Sequence, residues 1–388
     1  MDALILSVGT GGGHNAAGMA VKEELIRRGH NAVMINPYNL KSEKVAKEID
    51  NTYIKLVQKA PKMFGVVYGL GSAYSKLPFR SPIYFVNRRM ALILKDYLDA
   101  HHYDVIIMPH LFPAEIITNL KDMNVDIPKT VFVATDYACT PFTGETDCDA
   151  YILPSEKLKD EFLSNGIDGD KAYSFGIPSN AGCRSNMTKK EAAERLGLDP
   201  SFKYILVAGG SMGSGKLTRV IKYLYNWSVA KKNTKIIAIC GTNDKLFEKL
   251  YAEYGDNIIL LRRTDRMAEY MKACDVFLTK PGGLSTTEAA AAGVPIVHIT
   301  PIPGCESKNM RYFGQEGMSV SAKTRKKSLV GAMEYLEDSC NRLEMIQRQH
   351  EGVNSNAASD ICDLCEALAN CDSDEYSAEQ KEPLMSGV

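Results

Sequence analysis

Three glycine-rich turns in this chain have the composition of phosphate-binding loops, because each follows a short apolar run and precedes a helical pattern. Glycine lets the backbone approach a ligand closely, and the free N–H groups at the start of a helix attract anions. The turns are Ser7 to His14, Val207 to Leu217 and Thr279 to Glu288. We therefore expect phosphate groups to bind at these turns.

The third turn is the most informative of the three. It leads into a short alanine-rich helix that hydroxyl residues open and Gly293 closes. The start of this helix favours a diphosphate, and Glu288 could accept hydrogen bonds from two vicinal ribose hydroxyls. The alternative is that Glu288 serves as a capping-box residue. The turn reads Lys280-Pro281-Gly282-Gly283-Leu284-Ser285-Thr286-Thr287-Glu288.

The other two turns depart from standard nucleotide-binding motifs. The first has His14 where a dinucleotide fingerprint has its third glycine, and the strand Ala32 to Ile35 ends without an acidic residue for ribose. Both features disfavour NAD. The second turn matches the P-loop motif from Gly210 to Lys216, but Leu217 stands where that motif has the Ser or Thr that binds magnesium. An ATPase is therefore the less favoured interpretation.

Two residues are candidates for a general base. His14 follows three glycines at the carboxyl end of the first strand and opens a helix, Asn15 to Arg28. A helix N-terminus lowers the pKa of a histidine, which keeps the ring neutral and able to accept a proton near pH 7. Asp136, after the strand Thr130 to Ala134, is the rival base or the group that orients the hydroxyl that loses its proton. Alternatively, His14 only caps the turn.

A basic segment from Asn51 to Lys95 contains eight Lys or Arg residues, seven aromatic residues and no Asp or Glu. Its prolines and glycines predict short helices and loops, which suit a lipid headgroup layer better than nucleic acid, since no recognition helix is present. A solvated basic face is the alternative. Our candidates for contact with a lipid or the membrane are Gly12, Gly13, Lys55, Lys59, Lys62, Phe64, Tyr68, Arg80, Tyr84, Phe85, Arg88 and Arg89.

The elements that position these residues form two successive α/β patterns. Ten short apolar runs alternate with helical segments, which is typical of parallel strands covered on both faces. We place the first domain at 1–178, the second at 179–350, a helix at 351–370 and a disordered acidic tail at 371–388. A short helix capped by Thr188 lies in the linker. Ligands bind at the carboxyl ends of such strands, so two facing sheets predict a site in an interdomain cleft.

Composition sets limits on the function. The chain has 388 residues, 45% hydrophobic and 24% charged, with a formal net charge of -1, so it is an ordinary globular protein without a global field for nucleic acid. No signal peptide or membrane-spanning run is visible, so we expect the cytosol. The ten cysteines are scattered, and the pair Cys362 and Cys365 lacks the second pair that a zinc site needs.

The motifs resemble a known family when they are read in order. The third turn, the run Pro303 to Asn309 and the opening Gly11-Gly12-Gly13-His14 are similar to monogalactosyldiacylglycerol synthases and processive diacylglycerol glucosyltransferases. This group is related to the N-acetylglucosaminyltransferase of peptidoglycan synthesis. The likeness runs from Ser7 to about Asn309. It implies the GT-B fold, with two Rossmann-like domains that face a cleft.

The resemblance also implies an activity. It is the inverting transfer of a hexose, glucose or galactose, from a UDP-sugar to diacylglycerol, without a metal or other cofactor, by an enzyme peripheral on the cytoplasmic face of the cell membrane. Glu288 would bind ribose, Gly283 to Thr287 the diphosphate, and Arg263 to Met267 the uracil. The positions that match the nucleotide-sugar site are Gly210, Ser211, Gly241, Asn243, Met267, Gly282, Gly283, Leu284, Ser285, Thr286, Thr287, Glu288, Cys305, Glu306 and Asn309.

Two departures from the family pattern concern the substrates. Cys305 precedes Glu306 where the family usually has Gln, and a thiol is a weaker hydrogen-bond partner than an amide. Residues 138–142 replace a stretch where the family often has His and Trp. The alternatives are N-acetylhexosaminyl transfer to a polyprenyl-diphosphate lipid, a soluble GT-B UDP-sugar epimerase, and a non-catalytic sensor.

Overall fold

The computed structural model describes residues 1–370 except residues 10, 76, 78, 212, 214, 215 and 232, and for residues 53–59, 61 and 62 it describes only the backbone. The chain divides into two compact units. Unit 1 comprises Met1–Pro178 and Asn356–Val388, and unit 2 comprises Ser179–Ser355. The predicted acidic tail, 371–388, lies outside the described residues.

Unit 1 is built on a six-stranded parallel sheet with the order β2-β1-β3-β4-β5-β6. The strand order reverses between β1 and β3, which are hydrogen-bonded neighbours. In open parallel sheets, ligands bind outside the carboxyl ends of the strands at such a reversal. The strands are β1 Asp2–Leu6, β2 Asn31–Ile35, β3 Val105–Met108, β4 Lys129–Val133, β5 Ala150–Ile152 and β6 Ala172–Tyr173.

The helices of unit 1 cover both faces of this sheet. Leu4 and Leu6 pack into the core on one face, whereas Ala3 and Ile5 pack into the core on the other. This explains why the strands are continuously apolar rather than alternating. The helices are α1 Gly12–Arg27, α2 Glu43–Lys59, α3 Pro61–Tyr74, α4 Pro82–Ala100, α5 Leu111–Asp122, α6 Lys159–Ser164 and, from the C-terminus, α15 Ala357–Asn370.

Unit 2 contains a second six-stranded parallel sheet with the order β12-β11-β10-β7-β8-β9. Read from β9, this is the strand order of the doubly wound nucleotide-binding fold. Its reversal lies between β7 and β10. The strands are β7 Lys203–Ala208, β8 Thr234–Ile239, β9 Ile259–Leu261, β10 Val276–Thr279, β11 Ile296–Ile299 and β12 Val320–Ala322.

The first helix of unit 2 lies in the predicted linker. Thr188 caps it, and Glu191 completes a capping box, so the predicted cap is confirmed. The helices of this unit are α7 Lys189–Arg195, α8 Leu217–Val229, α9 Asp244–Tyr254, α10 Met267–Ala273, α11 Gly283–Ala291, α12 Cys305–Gln315, α13 Lys326–Tyr335 and α14 Ser339–Gly352.

The structure corrects two expectations about elements. The ten predicted strands leave out β6 and β12, edge strands of two and three residues whose apolar runs are too short to recognise. The segment 51–95 does not consist of short helices and loops. Pro61 and Pro82 are the first residues of α3 and α4, a position where the backbone N–H would have no partner within the helix, so its absence in proline does not destabilise the helix. The glycines of α3 lie inside the helix without interrupting it.

The C-terminal helix α15 belongs to unit 1 although it follows unit 2 in sequence. Ile361, Cys362, Leu364 and Cys365 are completely buried in one of the two cores of unit 1, together with Val21 and Leu25 of α1. Arg28, beside α1, forms ion pairs with Asp363 and Glu366. Within the described residues, none of the helices is long and apolar enough to cross a membrane.

Candidate functional site

The reversal point of the unit 2 sheet brings together the second and third glycine turns, since one follows β7 and the other follows β10. Neighbouring parallel strands end at the same edge of the sheet. The loop of Gly210 and Ser211 therefore lies beside Lys280 and the start of α11. Lys280 is so close that a Cβ atom added at Gly210 would lie 2.5 Å from its Cε atom.

The second turn also packs against the loop that follows β8. Gly241 has a φ of 64°, and a Cβ atom there would lie 2.3 Å from the Ser211 carbonyl oxygen. The side chain of Asn243 caps α9 and donates from Nδ2 to the Gly213 carbonyl oxygen at 3.2 Å. Gly241 and Asn243 thus shape the loop that would hold a phosphate, and direct contact of either with a nucleotide stays a prediction.

The third turn leaves its backbone N–H groups in position for an anion. Gly282 is the N-cap of α11 and has no side chain that could accept from the first turn. The Thr287 hydroxyl donates to the Gly283 carbonyl oxygen, and the Thr286 hydroxyl is 3.2 Å from Nε2 of the buried His298. The two threonines therefore stabilise the turn, while the N–H groups of Gly283 to Ser285 begin the helix.

Glu288 lies in the second turn of α11. The capping-box alternative is wrong, because Gly282 is the N-cap and the residue three positions later is Ser285. Burial raises the pKa of the Glu288 carboxyl to about 7. Burial disfavours the ionised form of this carboxyl, and hydroxyl groups that donate hydrogen bonds to it would stabilise that form. The two hydroxyls of a ribose are such donors, so the position suits a ribose-binding residue.

Glu306, in α12, is held from two sides. Its Oε1 accepts from the Lys280 ammonium at 2.6 Å, and its Oε2 accepts from the Ile302 backbone N–H at 2.8 Å. Asn309 is buried and donates from Nδ2 to the Pro281 carbonyl oxygen at 3.0 Å. It thus fixes the third turn to α12, while its predicted contact with a sugar stays a prediction. Cys305 is the first residue of α12, and Met267 is the first residue of α10.

The reversal point of the unit 1 sheet contains His14, because α1 follows β1 there. The His14 Nδ1 atom is 2.8 Å from the Pro109 carbonyl oxygen and 2.8 Å from the Thr135 hydroxyl. A carbonyl oxygen only accepts, so Nδ1 carries the proton of the neutral ring and Nε2 presents its lone pair. Gly12, which is exposed, and Gly13, which is half-buried, are the first two residues of α1.

Burial lowers the pKa of His14, and the neighbouring Asp136 and the Pro109 carbonyl oppose this effect. The lowering was expected, but its main cause is desolvation rather than the helix N-terminus. At neutral pH the His14 ring is therefore uncharged and able to accept a proton. Asp136 is half-buried and near enough to act on the ring electrostatically.

The sequence analysis missed His110, which follows β3 at the same reversal point. Its ring centroid is 4.4 Å from that of His14, in an edge-to-face arrangement. Its Nδ1 accepts from the Phe112 backbone N–H, and burial with the adjacent His14 holds the pKa of His110 well below its ordinary value. A histidine directly after a buried strand, at a possible reversal of strand order, was the available signal.

The predicted membrane residues fall into three groups. Arg80 and Tyr84 are tied into the fold, since both bond Asp122 and the Arg80 guanidinium lies over the Tyr84 ring, and their contact with acceptor or membrane stays a prediction. Phe64 and Tyr68 are half-buried. Phe85, Arg88 and Arg89 are exposed on α4, as expected. The side chains of Lys55, Lys59 and Lys62 lie outside the described residues.

The sequence analysis also missed an aliphatic stripe on α3. It consists of Met63, Val66, Val67 and Leu70, which recur at the spacing of one helix face and are between 52% and 66% exposed. Leu77 and Phe79, in the following loop, and Phe85 and Val86 of α4 are also exposed. Monomeric proteins rarely expose that much apolar surface without a partner.

Across the described part of the chain, no group of three or more His, Cys, Asp and Glu residues could hold a metal ion. Cys362 and Cys365 are free thiols buried inside unit 1, and burial raises the pKa of both.

Comparison with known proteins gives a consistent result for both halves. Residues 14–178 match the family model of monogalactosyldiacylglycerol (MGDG) synthase, and residues 204–360 match that of the glycosyltransferase family 28 C-terminal domain. The chain is 25% identical to the processive diacylglycerol beta-glucosyltransferase of Bacillus subtilis over 348 residues, which cover 88% of this chain and 89% of that protein.

Solved structures confirm the predicted fold. The crystal structure of Acinetobacter baumannii MurG has a TM-score of 0.60 and 15% identity, covering 94% of this chain and 99% of that one. The UDP co-structure of Staphylococcus aureus MnaA has a TM-score of 0.63 and 13% identity, covering 95% of this chain and 97% of that one. These likenesses establish a GT-B architecture.

Proposed function

Since residues 14–178 of this chain belong to the monogalactosyldiacylglycerol synthase family and residues 204–360 to the glycosyltransferase family 28 C-terminal domains, we propose that the protein transfers a hexose from a UDP-sugar to diacylglycerol. The named relative from Bacillus subtilis, a diacylglycerol glucosyltransferase, supports this acceptor. The product is a glycolipid.

The observation that carries the proposal is the reversal point of unit 2. Gly282 opens α11 without a capping side chain, Gly210 lies beside the Lys280 side chain, and Glu288, whose pKa burial raises to about 7, follows six residues after Gly282. Together they suit the diphosphate and the ribose of a nucleotide. Uracil recognition near Met267 is part of the proposal.

The chemistry requires a base for the acceptor hydroxyl and a stabilised leaving group. As the hydroxyl oxygen attacks the anomeric carbon, the bond from that carbon to the UDP oxygen breaks and the configuration inverts. His14 takes the hydroxyl proton on Nε2, which is free because Nδ1 donates to Pro109. Asp136 favours the imidazolium that forms. We propose that no metal or cofactor is required, so activity should survive EDTA.

The decisive experiment incubates the purified protein with diacylglycerol liposomes and radiolabelled UDP-glucose, UDP-galactose or UDP-N-acetylglucosamine. We expect labelled glycolipid from one of the two UDP-hexoses. Transfer only to a polyprenyl-diphosphate acceptor, epimerisation of free UDP-N-acetylglucosamine, or UDP binding without turnover would each overturn the proposal. The His14→Ala variant is the control for label carried over without catalysis.

We also propose that unit 1 docks on anionic lipid at the cytoplasmic surface of the membrane. The exposed Arg88 and Arg89 supply charge, and the aliphatic stripe of α3 with Phe85 supplies apolar surface. Sedimentation with anionic vesicles should weaken as salt shortens the Debye length from about 10 Å at 0.1 M to about 3 Å at 1 M. Equal binding to neutral vesicles at every salt concentration would show that the arginines play no part.

A further inference from the structure

The Lys280–Glu306 ion pair lies in the candidate nucleotide site. Lys280 belongs to the third turn, yet the chemistry proposed above gives it no role. Lys280 is the first residue after β10, at the reversal point of the unit 2 sheet. Its Nζ atom is 2.6 Å from Glu306 Oε1, and the side chains are only 16% and 11% exposed. A pair this deeply buried is costly to desolvate, so it is weak evidence for a purely stabilising role.

The backbone of the opposite loop makes room for Lys280. Gly210 adopts a φ of 72°, and a Cβ atom there would lie 2.5 Å from Lys280 Cε and 3.5 Å from Nζ. The lysine stem therefore passes directly under the loop that follows β7. Its ammonium lies between the two glycine turns where a diphosphate is expected.

The ion pair is asymmetric. Glu306 has a second support, because its Oε2 accepts from the Ile302 backbone N–H, whereas Glu306 is the partner that the structure gives to the Lys280 ammonium. Glu306 would therefore keep its position if Lys280 turned toward another anion. An ammonium that is already desolvated and positioned gives strong charge stabilisation without reorganisation.

We propose that Lys280 is a catalytic residue that binds the diphosphate of the sugar nucleotide and neutralises the charge on the departing UDP. This inference rests on the proposed function. When the donor binds, Lys280 exchanges Glu306 for the diphosphate, and Glu306 then accepts hydrogen bonds from the sugar hydroxyls. As the bond to the anomeric carbon breaks, its electron pair passes to the diphosphate oxygen. The proton of the acceptor hydroxyl goes to His14, so no further proton acceptor is needed.

Calorimetry with uridine and UDP tests this assignment. In Lys280→Met, UDP affinity should fall about ten- to hundredfold while uridine affinity is unchanged. Lys280→Arg should retain part of the difference between UDP affinity and uridine affinity. Lys222→Met, an exposed lysine of α8, is the matched control and should bind like the wild type. An unchanged ratio of UDP to uridine affinity in Lys280→Met would overturn the proposal.

Glu306→Gln separates a functional lysine from a structural ion pair. If the pair only stabilises the fold, Glu306→Gln and Lys280→Met should lower the thermal midpoint and UDP affinity alike. We expect instead that Glu306→Gln keeps or raises UDP affinity, because the ammonium loses its competitor. Gly210→Ala should weaken UDP binding as Lys280→Met does, since the new methyl group displaces the lysine. Equal losses of UDP affinity in Glu306→Gln and Lys280→Met would refute the exchange.

These binding measurements need no acceptor lipid. If UDP binds through Lys280 but no glycolipid forms in the liposome assay, the proposed function fails and the role in diphosphate binding stands. Failure of the wild-type protein to bind UDP would overturn both.

Discussion

His14 and His110 meet because β1 and β3 are neighbours in the sheet, although α2, α3 and α4 lie between the two residues along the chain. The pairing places one neutral imidazole ring against another. Protonation of either ring is therefore unfavourable. The same geometry directs the His14 Nε2 lone pair away from Pro109. The proposed function of His14 as a base therefore depends on its position and on its protonation state.

Replacing His14 with Ala should lower kcat by about 10²- to 10⁴-fold, because the acceptor hydroxyl loses its base. UDP affinity should stay nearly unchanged, since the candidate nucleotide residues lie in unit 2. Steady-state kinetics and calorimetry on the same preparation measure both effects. Near wild-type turnover in His14→Ala would transfer the base assignment to Asp136, which Asp136→Asn then tests.

Glu288 should make donor binding depend on pH. Its pKa is raised to about 7, and ribose hydroxyls donate to the ionised form, so binding favours loss of the proton. The affinity for UDP-glucose should therefore fall about tenfold between pH 8 and pH 6. UDP-glucose suits this measurement because its phosphates do not titrate in that range. Glu288→Gln should bind more weakly at pH 8 and lose the pH dependence; an equal slope in both proteins would contradict this prediction.

The glycine turns could be predicted from the sequence because a turn is a local feature. A strand end, glycines and a helix start follow one another within about ten residues. The partners of His14 and Lys280 could not be predicted in the same way. His110 reaches His14 only through the strand order of the first sheet, and Glu306 reaches Lys280 only after β11 has returned the chain to the same edge.

Among the elements, α3 departs most from its expected structure. Three glycines suggested a broken segment, yet the helix continues through them, because each costs only about 1 kcal/mol relative to alanine. The aromatic residues Phe64 and Tyr68 attracted attention in the sequence, but the exposed face is aliphatic. The spacing of Met63, Val66, Val67 and Leu70 was readable as a helix face, provided that the helix was assumed to be intact.

Val67→Asp with Leu70→Asp should reduce binding to anionic vesicles at least tenfold, since two apolar side chains would have to carry charge into the headgroup layer. Both positions are exposed, so we expect the thermal midpoint to change little. The matched control is Leu343→Asp on α14 of unit 2, where the side chain is also exposed. Equal vesicle binding by the double variant and the control would remove α3 from the docking surface.

At the scale of the whole molecule, the sequence predicts the helix α15 but does not show to which of the two units it belongs. Its helical period was clear, and the helix placed at 351–370 from the sequence is observed as Ala357–Asn370. Its place in unit 1 depends on a fit between Ile361 and Leu364 and the face formed by Ala3, Val131 and Ile152. That fit is a tertiary property with no local signature.

Leu364→Ala should destabilise unit 1 by about 2–5 kcal/mol, because the side chain is completely buried. Differential scanning calorimetry should show a lower midpoint for this unit, while UDP binding to unit 2 persists. Leu343→Ala, at an exposed position of α14, is the control and should change the free energy of unfolding by no more than about 0.5 kcal/mol. A loss of UDP binding that parallels the loss of unit 1 would mean that the units unfold together.

The return of α15 to unit 1 has a consequence for how the protein is made. Translation proceeds from the N-terminus at about 5–20 residues per second, so residues 1–178 leave the ribosome well before the helix that completes their core. Until then, one face of the first sheet has no cover at the positions that Ile361 and Leu364 occupy. The core on this face of unit 1 can therefore be completed only after residues 179–355 and α15 have been synthesised.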